Sequence, residues 1–342
     1  SSSSISADRT QEILYKMFDK GYHDKLIEIL ASAGSSSEIT ADTTITDGVS
    51  IYNELTVDSG VTLTVGAPPG VIIANTITNN GTIKSGWVKA AGGSSSYGGG
   101  NGGDGAGGLI LLAKTLSIGT ISADGYDGEN GVSDSVGSES GANGEPGFFW
   151  IISPDDLPFG ALFGGLGENG AENGQLAHIN GGGGGCVNET YMGGESGVGT
   201  YQGFDTANDL LSELFKSVID WWIENILSKT PTTTKSIPSL GGSGGGGGAD
   251  YSPALDLGGG GGGAGEIIVY GTNIIAGTLT ARGGNGGDGY SGHAGGGGAG
   301  GGVIYVFYKS LSGTNTIDVS GGSGGTLNGE DGGTGVAKEV AV

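Results

Sequence analysis

The first question for any chain is whether it holds a nucleophile beside a base, and this one offers a single cysteine, Cys186, with His178 a short way before it. A thiolate and an imidazole could support covalent catalysis, but no third orienting group or oxyanion element can be assigned near them. A surface histidine and a small buried thiol are the expected roles. His23 and His293 have no partners at ligand spacing, and Asp155-Asp156 sits in what reads as an ordinary loop. Two segments, GGNGGDGA from Gly99 and GGNGGDGY from Gly283, fit the calcium-binding nonapeptide consensus, in which backbone carbonyls and an Asp ligate the ion. Such sites need consecutive turns and each match stands alone, so Asp104 and Asp288 are read as turn residues, with calcium ligation as the alternative. No catalytic set and no cofactor site emerges. The triplets Asn80-Gly81-Thr82 and Asn188-Glu189-Thr190 could carry glycans only on a secretory route.

The elements that would position such residues are unusual in composition. Glycine accounts for 80 of 342 residues and hydrophobic residues for 35%, so a large aliphatic core is not expected. A net charge of −23 reflects 36 acidic residues against only 13 Lys and Arg. With no basic patch to displace counterions from phosphates, a nucleic-acid partner is disfavoured. One cysteine rules out an intramolecular disulfide and a multi-cysteine metal site. No run of about 18 apolar residues exists, so membrane insertion by a helix is not expected. The chain starts Ser1-Ser2-Ser3-Ser4, without Met, a charged n-region or an apolar h-region. Met removal from a Met-Ser start is the favoured reading, with a cleaved leader or a trimmed chain as the others.

Along the chain, residues 8–32 read as an amphipathic helical pair: Asp8 can cap with Gln11, and Ile13, Leu14, Met17 and Phe18 recur at helical spacing. Residues 1–36 are therefore expected to be an N-terminal helical attachment or oligomerisation segment. From Ile39 the pattern alternates, clearest in Val61-Thr62-Leu63-Thr64-Val65, which predicts a β domain over 37–94. Four segments align as an imperfect repeat: VIIANTITNNGTIKSG from Val71, LILLAKTLSIGTISADG from Leu109, IIVYGTNIIAGTLTARGG from Ile267 and VIYVFYKSLSGTNTIDVSGG from Val303. Each gives an apolar strand, a Thr- or Ser-bearing second strand and then glycine. The first two copies and the last two share a period of about 37 residues, with a long insertion between the pairs, which points to stacked β units. A degenerate fifth copy could start at Gly147.

Connectors between these units are glycine tracts, among them residues 181–185, 244–248, 258–263 and 295–298. A single extended glycine strand in water stays flexible, and flexible linkers are the alternative reading. Several packed side by side are different, because backbones without Cβ atoms can approach closely and exchange N–H to C=O bonds. Residues 98–108, 181–185 and 241–335 carry a resemblance on this basis. The chain resembles the glycine-rich tip adhesins on the long tail fibres of T-even-type bacteriophages, and more loosely glycine-rich fibre and surface proteins of other viruses and of archaea. The resemblance implies a polyglycine-II sandwich whose intervening loops touch a host receptor. The strand copies here are longer than that pattern, and both helical segments depart from it. The expected fold is mainly β, with stacked short strands in a β-helix or sandwich-like arrangement and a glycine-rich polyglycine-II bundle over 95–342.

Within that last region, residues 205–228 read as an amphipathic helix with a wide apolar arc, ended by Pro231. Leu214, Trp221, Trp222 and Ile226 are its candidate oligomer contacts, core packing being the alternative. Loops that interrupt the glycine offer Tyr126, Tyr191, Tyr201, Tyr251 and Tyr290 as candidate receptor contacts; they could equally close the bundle ends. The expectation is a non-enzymatic virion surface, fibre or spike protein, or else a secreted filament or cell-surface subunit of a bacterium or archaeon. Its expected partners are further copies of itself, other virion or filament proteins, and a host receptor or glycan.

Overall fold

A computed structural model gives the fold and describes residues 27–28, 31–32, 34–46, 49–66, 70–88, 100–131, 258–292, 294–326 and 329–341. Seven strands make one sheet, all pairs parallel, in the order β1 (Ser35–Ile39), β3 (Val49–Val57), β5 (Gly70–Asn79), β9 (Leu109–Ser117), β11 (Glu266–Ile275), β13 (Val303–Ser312) and β15 (Val336–Ala341). Six shorter strands make a second parallel sheet in the same sequence of rungs: β2 (Thr43–Ile45), β4 (Thr62–Val65), β6 (Thr82–Ser85), β10 (Thr120–Ser122), β12 (Thr278–Thr280) and β14 (Thr316–Asp318). A separate antiparallel pair joins β7 (Trp87–Val88) to β8 (Gly105–Ala106). Parallel neighbours cannot be joined by a tight hairpin. Here each long strand from β1 to β13 turns into its short partner in the other sheet before the chain returns one rung further on.

The alternation of side chains explains the core. Ile72, Leu111, Val269 and Val306 point from the long sheet towards Leu63, Ile83, Ile121 and Leu279 of the short one, and all are fully buried. Residues two apart share a face of a strand, so Ile73, Ile110, Ile268 and Tyr305 line the opposite face of the long sheet. These are buried too. A strand buried on both sides must read as a continuous apolar run rather than an alternating one, and that is why the four copies begin so strongly hydrophobic. On this second face Tyr270 stacks on Phe307 of the adjacent strand, ring centroids 4.6 Å apart. Ion pairing between Lys114 of β9 and Glu28, at 3.2 Å, ties Glu28 to the long sheet. Of the expected N-terminal helical segment 1–36, residues 35–36 belong to β1, residues 27–28, 31–32 and 34 are also described, and the others lie outside the described residues, as does the whole of 205–228.

Pairing across rungs refines the repeat. Leu109 sits opposite Ile267 as the alignment expects, but Val71 pairs with Ile110 and Val303 with Glu266, a shift of one residue at each outer copy. Two further rungs precede these copies, β1 with β2 and β3 with β4. β5 and β9 are direct neighbours, so one sheet runs across the boundary at residue 94. Between the sheets the chain turns within a few residues. At the β9–β10 turn Gly119 has φ +54°, and a Cβ there would collide with the carbonyl of Asn79. Asn79 closes the same turn from the rung below: its amide Nδ2 donates to the carbonyls of Ile118 (2.6 Å) and Thr120 (2.9 Å).

The glycine segments enter and leave these strands and lie side by side. Outgoing segments follow the short strands at 123–131, 281–289 and 319–326; incoming ones precede the long strands at 100–108, 258–265, 294–302 and 329–335. Their hydrogen bonds recur every third residue. Gly258, Gly261 and Ala264 donate to the carbonyls of Ala294, Gly297 and Gly300, while Gly259, Gly262 and Gly265 donate to those of Glu129, Tyr126 and Ala123. The first set runs between parallel incoming segments and the second between antiparallel incoming and outgoing ones. Side chains are excluded where segments meet: a Cβ on Gly261 would overlap the carbonyl oxygen of Gly284.

Two outcomes follow from this packing. Gly261→Ala should lower unfolding free energy by about 3 kcal/mol, the upper range for overpacking a tight interior. Ser323→Ala, at an exposed position of an outgoing segment, should change it little, and chemical denaturation of both variants measures the contrast. Burial, and secondarily the charge of Glu266, raise the phenols of Tyr270 and Tyr305 well above the usual value near 10. Their contribution to stability is complete below the unfolded-state value and is lost as pH rises above it. Tyrosinate absorbance from these two residues should therefore appear together with unfolding at alkaline pH, as circular dichroism on the same samples would record.

Candidate functional site

The outer face of the short sheet is a column of hydroxyls. Register places Thr62, Thr82, Thr120, Thr278 and Thr316 directly opposite one another on successive strands. Two residues on, and so on the same face, stand Thr64, Lys84, Ser122, Thr280 and Asp318. Three of the short strands then run on into outgoing glycine segments, where every third residue carries a side chain: Asp124, Asp127 and Asn130; Arg282, Asn285 and Asp288; Ser320, Ser323 and Thr326. Most of these are exposed. The spacing changes from two to three where the pleated strands give way to glycine segments whose hydrogen bonds recur every third residue.

These side chains hold the next segment by its backbone. Asp124 Oδ1 accepts the N–H of Arg282, Asp127 Oδ1 that of Asn285, and Asn130 Oδ1 that of Asp288, each at 2.7 Å. One rung on, Asn285 Oδ1 accepts from the N–H of Ser323 (2.8 Å) and Asp288 Oδ1 from that of Thr326 (2.9 Å). Asp and Asn suit this role because a short side chain places an acceptor oxygen beside the neighbouring backbone. Arg282 adds a charged contact, its Nη2 2.8 Å and its Nε 3.2 Å from Asp124 Oδ2, which also accepts from Thr280 Oγ1. The hydrogen bond to Asp124, reinforced by that carboxylate's charge, raises the guanidinium pKa further above its already high value. Arg282 is half exposed, so solvent screens much of this pair.

The two GGNGGDG matches therefore have a structural use. In the second, Asn285 and Asp288 are the residues that cap the segment beyond; in the first, Asn101 Nδ2 donates to Glu129 Oε2 at 2.7 Å and the carbonyl of Asp104 accepts the N–H of Tyr126. Asp104 and Asp288 lie on separate segments, one incoming and one outgoing. Among the described residues no group of three or more His, Cys, Asp or Glu could hold a metal ion. Periodic Asp and Asn at every third position, as in Asp124-x-x-Asp127-x-x-Asn130, was the signal that could have revealed the capping ladder.

Of the aromatic candidates, Tyr126 is 40% exposed and Tyr290 46%. The backbone of Tyr126 is fixed at both ends, donating to Asp104 and accepting from Gly262. Tyr290 sits in a 3-10 turn, Tyr290–Gly292, between an outgoing and an incoming segment, with Ser291 at φ +51°. The two rings are not on matching positions, since the rung register aligns Tyr126 with Gly284, about six residues before Tyr290. Tyr191, Tyr201, Tyr251, Leu214, Trp221, Trp222 and Ile226 lie outside the described residues, as do His23, His178, Cys186 and His293. Asn80 of the first sequon is exposed in the β5–β6 turn.

Removing a capping oxygen should cost in proportion to the bonds it makes. Asp124→Ala, which deletes a backbone cap, a hydroxyl contact and the guanidinium pair, should destabilise by about 2 kcal/mol, and Asp127→Ala, which deletes one cap, by about 1 kcal/mol. Urea unfolding of the two variants in parallel would measure the ratio.

No family model matches the chain, and no curated protein or solved structure matches it with significance.

Proposed function

We propose that this chain is a non-enzymatic structural protein displayed on the surface of a virus particle as part of a fibre or spike, with its polar face turned outward for attachment to a host. The glycine segments are read as a polyglycine-II bundle continuous with the β rungs. The observation that carries this reading is the three-residue hydrogen-bond period, which engages each segment with neighbours of both directions. Such a body presents its surface residues from fixed backbone, the condition under which exposed side chains contribute contact area at little entropic cost. The face supports the reading in a second way. Its Asp and Asn oxygens are committed to capping neighbouring backbone, so these residues are explained by architecture without any reaction. The acidic chain, at −23, keeps such surfaces soluble and apart. Other copies of the chain and other particle proteins are its proposed partners, together with a host receptor or glycan. The helix at 205–228 is proposed to make the contact between copies.

A secreted or cell-surface filament is the second reading, favoured by one feature. Among the described residues β1 and β15 are the outermost strands of the long sheet, and such edges can pair with further strands.

Immunogold labelling with antibodies against the purified chain, applied to particles and cells of its source, separates these readings. Label on the outside of particles is the expected result. Label on filaments attached to cells would favour the second reading, and label confined to the cell interior would contradict both.

A further inference from the structure

Among the described residues the outgoing glycine segments begin only at the fourth short strand. β10, β12 and β14 each run on into an outgoing glycine segment, but after β6 the chain passes through Gly86 into β7. Among the described residues, the first outgoing segment, 123–131, therefore has another outgoing segment on one flank only. The rung pattern shows what is missing. Gly125, Gly128 and Gly131 donate to the carbonyls of Arg282, Asn285 and Asp288 on the next segment. The equivalent carbonyls of Asp124, Asp127 and Asn130 accept from no donor among the described residues. Of these three residues, Asp124 is the one that lines the notch.

That notch is a cleft of about 190 Å³, lined by Lys84, Ser85, Ser122, Asp124, Gly125 and Tyr126. It holds the equivalent of about six water molecules, the bulk of a single sugar ring. Its chemistry is specific. Ser122 and Lys84 are paired across neighbouring strands on the outer face, while Ser85, two residues from core-facing Ile83, is buried on the inner face and contributes wall rather than a hydroxyl. Lys84 has no ion-pair partner among the described residues, in a chain carrying −23. Asp124 does not cancel that charge, because its carboxylate is already held by Arg282 and Thr280. Tyr126 supplies an exposed aromatic ring on a fixed backbone.

We propose that this cleft binds one carboxylate-bearing sugar unit. The Lys84 ammonium takes the carboxylate, Ser122 and the Asp124 carbonyl take hydroxyls, and the Tyr126 ring packs on an apolar face of the sugar. A carbonyl acceptor beside the Ser122 hydroxyl suits a polyol, whose hydroxyls both donate and accept, and the cation selects the acidic kind. The assignment deepens the attachment role and rests on it only for the source of the sugar.

Ligand-observed NMR titration of the full chain with glucuronate, N-acetylneuraminate, glucose and inorganic phosphate tests it. One of the two acids should saturate with a millimolar Kd and glucose should bind about tenfold more weakly. Lys84→Met should abolish the preference for the acid, and Tyr126→Ala should weaken every sugar about tenfold, with melting temperatures unchanged. The proposal is overturned if neither acid saturates, if phosphate displaces the acid as well as a sugar does, or if both variants bind as the parent. Because the titration uses the isolated chain, such a failure would remove the cleft while leaving surface display to be decided by the labelling.

Discussion

Close approach of backbones without Cβ atoms is the constraint on which the rest of this molecule depends. Along the glycine segments, positions that face a neighbour tolerate nothing larger than hydrogen: Cβ atoms at Gly258, Gly286 or Gly296 would each run into a carbonyl of an adjacent segment. Ordering each glycine costs roughly 0.5–1 kcal/mol more than ordering alanine. Each interchain-like hydrogen bond returns about 0.5–1.5 kcal/mol net. The two are so close that an isolated set of segments would be marginal, and the β rungs must tip the balance. They do so by fixing where each segment begins.

Sheet and segments can share a rung because their lateral spacings are compatible. Parallel strands lie about 4.8 Å apart, and a glycine backbone free of side chains can follow its strand at that separation. The result is one continuous stack in which β12, for example, hands its neighbours on either side to the segment that follows it. Side chains survive only where the stack meets solvent. On the short strands this gives Thr at alternate residues; on the outgoing segments it gives Asp, Asn, Ser or Arg at every third. Glycine in the two central incoming segments, 258–265 and 294–302, is correspondingly almost uninterrupted, with the buried Ala264, Ala294 and Ala299 as the small exceptions.

Much of this was legible in the sequence. The four aligned copies correspond to β5, β9, β11 and β13 with their short partners, because strands buried on both faces write continuous apolar runs that are hard to miss. Register was less legible: Glu266 is buried within β11, and an acidic residue at the head of a strand disguised its start, while Gly70 did the same for β5. The rungs at β1 to β4 escaped the repeat because no glycine segment follows them. Asp288 was weighed as a calcium ligand because the Gly-Gly-Asn-Gly-Gly-Asp spacing serves a metal turn and a capping ladder equally well. Only the position of the next segment, which brings Thr326 N–H to its carboxylate, distinguishes the two. The aromatic positions were chosen by residue type, and the cleft beside Tyr126 could not be seen without knowing that the chain leaves the rung pattern at Gly86.

Amide hydrogen exchange resolved across the glycine segments tests the central claim most directly. If the segments are ordered by backbone bonds, the amides of Gly259, Gly262, Gly284, Gly287, Gly296 and Ala299 should exchange as slowly as those of β11 and β13, within about tenfold. Exchange of these amides at the rates of an unstructured chain, while the strands remain protected, would contradict it and reduce the glycine segments to linkers between the rungs of a β stack.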